Sequence, residues 1–339
     1  MSHPAIDPLD STAPPAAGGT GRSGLLVGLK LVVSLALLAL VAAASDLAVL
    51  GALLARLQPG PALLAVVLLL GIATISGLRW WIVGRAIAAP LPLGACLSLM
   101  FIGTFFTQVL PTSVGGDAVR ILLAGRRGLP YGRAFSGVVL ERASGLLALV
   151  VMVAGGALWL GARLDPPVLR YFLLASLPGL LAALGLLCLL DRLPLPARLA
   201  GPARPLRALA ADARRVMLAP LASLTLLLLS AAAHLCTAGA VWLLALGLGL
   251  PLGWWDSLAL VPAIVLITFF PLSFAGWGVR EGAAVVLLGF AGLAADEALP
   301  QQAAGQAADE ALAVSVLLGL GLLAAGLPGC LLWLRTRRA

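Results

Sequence analysis

The chain has 339 residues, 61% of them hydrophobic and only 11% charged, with a formal net charge of +8. A water-soluble domain is about half apolar and a quarter charged, so water is not the solvent for most of this surface. The basic residues are dispersed among the segments between apolar runs, so membrane topology explains the charge better than a nucleic-acid partner, and none is expected.

In chain order, residues 2–21 are rich in Pro, Gly, Ser and Thr, and residues 1–24 read as a disordered tail. Apolar stretches follow at 25–44, 61–78, 135–160, 171–190, 221–250 and 311–334. Each reaches or approaches the ~20 residues a helix needs to cross ~30 Å of hydrocarbon. The first is too long for an ordinary cleaved signal and reads as an uncleaved helix. Segment 191–215 carries Arg192, Arg198, Arg204, Arg207, Arg214 and Arg215, and the tail 335–339 carries Arg335, Arg337 and Arg338. The excess of Lys and Arg in short cytoplasmic loops places both inside. Segment 296–310 holds Asp296, Glu297, Asp309 and Glu310 with no base and is placed outside. Both termini are then cytoplasmic, and Arg79 falls on the cytoplasmic side. Trp80–Trp81 and Trp254–Trp255 end spans and read as aromatic belts, with lipid guidance as the other reading. Cys96, Cys188, Cys236 and Cys330 lie in apolar stretches without C-x-x-C spacing and read as small packing residues.

Two further apolar stretches are interrupted by one shared pattern. LPTSVGGDAVR contains Pro111, Ser113, Gly116, Val119 and Arg120; FPLSFAGWGVR contains Pro271, Ser273, Gly276, Val279 and Arg280, offset by 160 residues. The limbs on either side are too short for a full span. Each unit therefore reads as a re-entrant helical hairpin broken at a Pro/Gly loop, although two thin crossings would satisfy the charge pattern equally. The fold expected is an all-α polytopic membrane protein with six full transmembrane helices and two re-entrant hairpins. They form one domain over 25–334, built as an inverted repeat of halves at about 25–160 and 169–334. Such broken helices meet near the midplane in transporters, where irregular backbone lines a cavity.

An ionisable group at membrane depth costs a few kcal/mol and calls for a reason. Asp117 and Arg120 share a helix face and can pair, and Arg280 and Glu281 take the matching place in the second hairpin. In the functional reading Arg120 and Arg280 bind a lipid headgroup, with Ser113, Ser273, Gly116 and Gly276 in the loops supplying further donors. The alternative is that the pairs staple the hairpins or snorkel to the interface. Glu141 carries a proton, pairs with Arg120 or Arg142, or anchors span 3 at the interface. His234, midway along span 5, titrates in a proton-coupled cycle or simply bonds a carbonyl. No nucleotide loop, H-E-x-x-H helix, G-x-S-x-G elbow or metal-ligand spacing occurs, so no cofactor or metal is expected.

Three stretches, LPTSVGGDAVR, LERASGLLAL and FAGWGVREGA, resemble the signature regions of the lysylphosphatidylglycerol synthase transmembrane-region family, also called flippase-like proteins. The family patterns fall on Pro111, Gly116, Asp117 and Arg120; on Glu141 and Arg142; and on Gly276, Gly278, Arg280 and Glu281. In the fused multiple peptide resistance factors this region resembles the lipid-translocating half and precedes a soluble aminoacyltransferase. The chain ends shortly after its last span, so a stand-alone member without that enzyme activity is expected. The resemblance implies a multi-pass protein of the bacterial inner membrane that moves an anionic phospholipid, polyprenyl phosphate or hopanoid-type lipid between leaflets. Two other roles remain: an accessory that presents a lipid to a partner glycosyl- or aminoacyl-transferase, and a scaffold without transport.

Overall fold

Long apolar runs become single helices, and prolines at the first helical positions, where a missing N–H costs nothing, mark several of their starts. The computed structural model describes residues 47–110, 114–161, 167–192, 203–269, 278–289 and 301–336, and these are helical with no strand. We number the helices α1 (Leu47–Ala55), α2 (Pro59–Ala86), α3 (Leu93–Val109), α4 (Gly115–Arg126), α5 (Tyr131–Leu160) and α6 (Pro167–Leu189). There follow α7 (Arg204–Met217), α8 (Pro220–Gly247), α9 (Trp254–Phe269), α10 (Val279–Gly289) and α11 (Gln301–Thr336).

Five stretches among the described residues are long and apolar enough to cross a membrane: Pro59–Ala86, Tyr131–Leu160, Arg170–Arg192, Pro220–Gly247 and Ala307–Thr336. They coincide with the second to sixth expected spans; the tail and the first span lie outside the described residues. Both interrupted stretches form helix pairs. The limbs of the first, of 17 and 12 residues, reach only ~26 and ~18 Å at ~1.5 Å per residue, short of the hydrocarbon thickness, and the described parts of the second pair cover 16 and 11 residues. The loops that join them, with Ser113, Ser273 and Gly276, lie outside the described residues.

At the centre, α2 and α8 pack along most of their length. They run antiparallel: Gln58 at the start of α2 donates its N–H to the Gly247 carbonyl at the end of α8 (2.9 Å), and Arg79 near the other end of α2 meets Ser230. Around this pair the same neighbours occur twice. α3 packs on α4, α2 and α11, while α9 packs on α10, α8 and α5; α4 then rests on α5 as α10 rests on α11. Exchanging α2–α5 with α8–α11 leaves this set of contacts unchanged.

Helices in lipid gain nothing from hiding apolar surface from one another, so close backbone approach carries more of the packing. Gly329 of α11 lies against the Phe101 carbonyl of α3, and Gly156 of α5 lies against the Ala259 carbonyl of α9; a Cβ at either would collide with backbone. These crossings occupy matching places in the two halves.

The basic segment 191–215 is more than a loop. Apolar Leu206, Leu209, Ala210, Ala213 and Val216 recur at helical spacing, and α7 buries the last four of them. Asp212 is also buried, with Arg133 at 3.3 Å and Arg215 at 3.4 Å, and Arg214 grips Asp191 through two bonds of 2.8 and 2.6 Å. Asp212→Ala removes the carboxylate that lies 3.3 Å from the largely buried Arg133. We expect a loss of about 2–3 kcal/mol in detergent unfolding and faster tryptic cleavage within α7. Unchanged cleavage would mean that the apolar face alone holds the helix.

Candidate functional site

Helix α4 brings Gly115, Gly116, Asp117, Arg120 and Ala124 to its buried face. Asp117 and Arg120, one turn apart, form an ion pair at 2.5 Å. From α5, Arg142 pairs with the other Asp117 oxygen, and Glu141 lies 3.5 Å from the Arg120 guanidinium. The expected grouping of Asp117, Arg120, Glu141 and Arg142 is therefore real in space. Glu141 and Arg142 are adjacent in sequence, yet they contact different residues, because successive helical positions point about 100° apart.

The strongest partner of Glu141 is a residue absent from the expected site. Arg79 of α2 forms an ion pair with Glu141 Oε1, and its other amino group donates to Ser230 Oγ of α8 at 2.8 Å. Arg79 is only 6% exposed, Arg120 2% and Glu141 3%. α2 continues through Trp80, Trp81, Ile82 and Val83 to Ala86, so Arg79 lies within the helix, packed against its neighbours, and not at its end. The signal was legible in that apolar continuation. The reading of Trp80 is corrected. It is buried, and Arg120 lies over its ring at 5.1 Å, a cation–π contact rather than an interfacial belt. Trp81 stacks on Arg85, while Trp255 remains exposed beside Trp159.

Missing side chains make room for these large groups. A Cβ on Gly103 would lie 2.7 Å from the Arg120 stem, on Gly145 3.0 Å from the Arg79 guanidinium, and on Gly137 2.8 Å from the Trp80 ring nitrogen. Gly116 crosses α3 so closely that a Cβ would strike the Gly103 carbonyl and the Thr107 hydroxyl. His234 lies one turn from Ser230 on α8, and its Nε2 donates to the Gly145 carbonyl at 3.0 Å. The bland reading of His234, a ring bonded to a carbonyl, is therefore the geometry present, at the margin of the charge cluster.

The second hairpin carries a smaller cluster. Arg280 bonds Glu281 at 2.6 and 3.1 Å, and Ser315 of α11 donates to the same carboxylate at 3.3 Å. The other Glu281 oxygen accepts the Gly278 N–H at 2.6 Å, the reach-back of a capping box that starts α10. Gly278 has φ +84°, which a residue with a side chain adopts only under strain. Asp309, expected in an outer acidic loop, is instead buried within α11. The helix begins at Gln301 because alanine-rich sequence at 302–311 propagates it inward of the apolar span.

A family model described as lysylphosphatidylglycerol synthase TM region matches residues 27–301. The chain belongs to that family. The match covers all of α1 to α10 and therefore the first charge cluster and, in the second, Gly278, Arg280 and Glu281. No curated protein matches the chain. As a member of the lysylphosphatidylglycerol synthase TM region family, it is a membrane-embedded, lipid-related protein.

Proposed function

We propose that the protein moves an anionic lipid between leaflets, with the Arg79–Glu141–Arg120–Asp117–Arg142 network receiving the phosphate of the headgroup. One observation carries this reading. Three guanidinium groups, Arg79 and Arg120 buried and Arg142 42% exposed, share two buried carboxylates, so this network holds one surplus positive charge and opens to the surface at Arg142. A phosphate that entered the network would balance the charge and replace water with charge-assisted hydrogen bonds. Arg280, set against Glu281, provides a charge-compensated counterpart at the second hairpin, and Glu141, Asp117 and His234 are the groups that would balance charge or carry a proton.

The short limbs of α3–α4 support re-entry of the first hairpin to the side from which it came, and the matching place of α9–α10 in the contacts extends that reading to the second. The antiparallel α2/α8 pair and the exchangeable contacts around it support an inverted repeat, the architecture in which two broken elements meet across a central path. With 191–215 and the C-terminus cytoplasmic, the first hairpin enters from the cytoplasm and the second from outside. A phospholipid and a polyprenyl phosphate present the same phosphate chemistry to this site.

The test is lipid movement in proteoliposomes carrying fluorescent phosphatidylglycerol, with bleaching of the outer leaflet as readout. Wild type is expected to speed exchange, and Arg120→Ala to slow it by about 10- to 100-fold, the value of a charge-assisted hydrogen bond or two, while Arg120→Lys keeps part of the rate. Movement untouched by Arg120→Ala and by Arg79→Ala would overturn the headgroup role. Wild-type protein that binds the lipid without moving it would favour presentation to a partner transferase.

A further inference from the structure

Helix α4 has two working faces. Asp117, Arg120 and Ala124 turn inward to the charge network, while Val119, Leu122, Leu123 and Arg126 follow the i, i+3, i+4, i+7 spacing of one continuous outer stripe. That stripe lines a separate cavity of about 680 Å³, closed by α3 on one side and by the end of α11 on the other. Phe106 and Trp333 meet edge to face at 5.2 Å across it, and its wall includes the fully buried Leu99. Its charged lining residues are Arg126 and Arg127, both exposed, and Thr336 stands at the same end. Neither arginine has an acidic partner among the described residues; Arg127 bonds only the Ala95 carbonyl, at 3.5 Å.

We infer that this groove is a binding site for an anionic phospholipid, distinct from the buried network. The phosphate would lie on Arg126 and Arg127, and an acyl chain would run inward along Leu122, Leu123 and Val119 to the Phe106–Trp333 pair. Charge complementarity selects this occupant. A groove with an apolar floor, a basic mouth and no carboxylate among the described residues matches a molecule that is anionic at one end and hydrocarbon at the other. A second protein helix would offer no such asymmetry along its length. The mouth lies at the open end of the hairpin, where the limbs of α3 and α4 begin and finish, and therefore at headgroup level. From Arg126 to Arg120 is six residues, about 9 Å along the helix, so the groove also sets a lipid beside the network. The site rests on the membrane embedding of the hairpin and not on transport.

The full-length protein in nanodiscs of phosphatidylcholine with a minority of phosphatidylglycerol allows a direct test. The probes are phosphatidylglycerol and phosphatidylcholine, each with a diazirine in the acyl chain, and the readout is labelled peptides by mass spectrometry. Phosphatidylglycerol is expected to label peptides spanning 99–106, 119–127 and the end of α11. The double variant Arg126→Ala/Arg127→Ala should cut that labelling about tenfold or more, since each basic side chain at a membrane surface contributes roughly an order of magnitude at most. Leu122→Trp, which fills the groove and leaves both arginines in place, should cut it as well. Equal labelling by the two lipids, or phosphatidylglycerol labelling that survives both variants, overturns the site. Labelling lost because copies of the chain cover the groove would appear as cross-links between protomers, and these also overturn it. Arg120→Ala should leave groove labelling unchanged, so failure of the translocation reading and failure of this one give different results.

Discussion

Glu141→Ala is expected to destabilise the protein by about 3–5 kcal/mol. Glu141 lies between two buried guanidinium groups, forming an ion pair with Arg79 and lying 3.5 Å from Arg120, and all three side chains are less than a tenth exposed. Removing it leaves Arg79 with Ser230 and the long Ser76 contact, and strands most of a full charge away from water. Burial is costly because an ion in a medium of low dielectric loses its hydration, and only a well-placed counter-ion offsets the loss. Glu141→Gln keeps an acceptor for Arg79 and should lose less. The double variant Arg79→Met/Glu141→Met removes both charges and should recover much of the loss, because a matched apolar pair carries no desolvation penalty. Reversible unfolding in mixed micelles measures all three. A Glu141→Ala cost below about 1 kcal/mol would show that water reaches the cluster and screens it.

Gly116→Val is expected to damage stability and lipid movement together. A Cβ at this position strikes the Gly103 carbonyl and the Thr107 hydroxyl, and one of these is backbone in the middle of α3 that cannot turn aside. The hairpin must therefore open, and overpacking of this kind costs about 1–3 kcal/mol or more. The same displacement carries Asp117, the next residue, and Arg120, one turn on, away from Glu141 and Arg142. Gly94→Ala on α3 is the matched control. Its Cβ would meet open space, so it should be neutral or raise stability by up to about 1 kcal/mol through the better helix propensity of alanine. If Gly116→Val keeps both stability and lipid exchange, close crossing of the two limbs does not position the site.

The legible part of the site was its local part. Asp117 with Arg120 and Arg280 with Glu281 sit within one turn of each other, so helical geometry alone places each pair together, and both ion pairs are present. Glu141 and Arg142 stood out because charge inside an apolar run is costly. The partner of Glu141 was not legible, since Arg79 lies 62 residues away on another helix and only the packing of α2 beside α5 and α8 joins them. Trp80 was misread for a related reason: an aromatic beside an arginine looks the same in sequence whether it faces a headgroup or a buried guanidinium. The basic stretch now in α7 concealed an amphipathic helix behind its topological charge.

Hydropathy by itself determined that the chain is helical and membrane-embedded, where five of its spans run, and where two helices break. A bilayer imposes these through length and through the cost of unsatisfied backbone, and both are properties of contiguous sequence. Tertiary structure alone decided which helices touch, and with them the antiparallel α2/α8 axis, the Gly329–Phe101 and Gly156–Ala259 crossings, and the five-membered charge network. In lipid these follow from shape and from pairing of buried charge across distant segments, and neither leaves a periodic trace in the sequence.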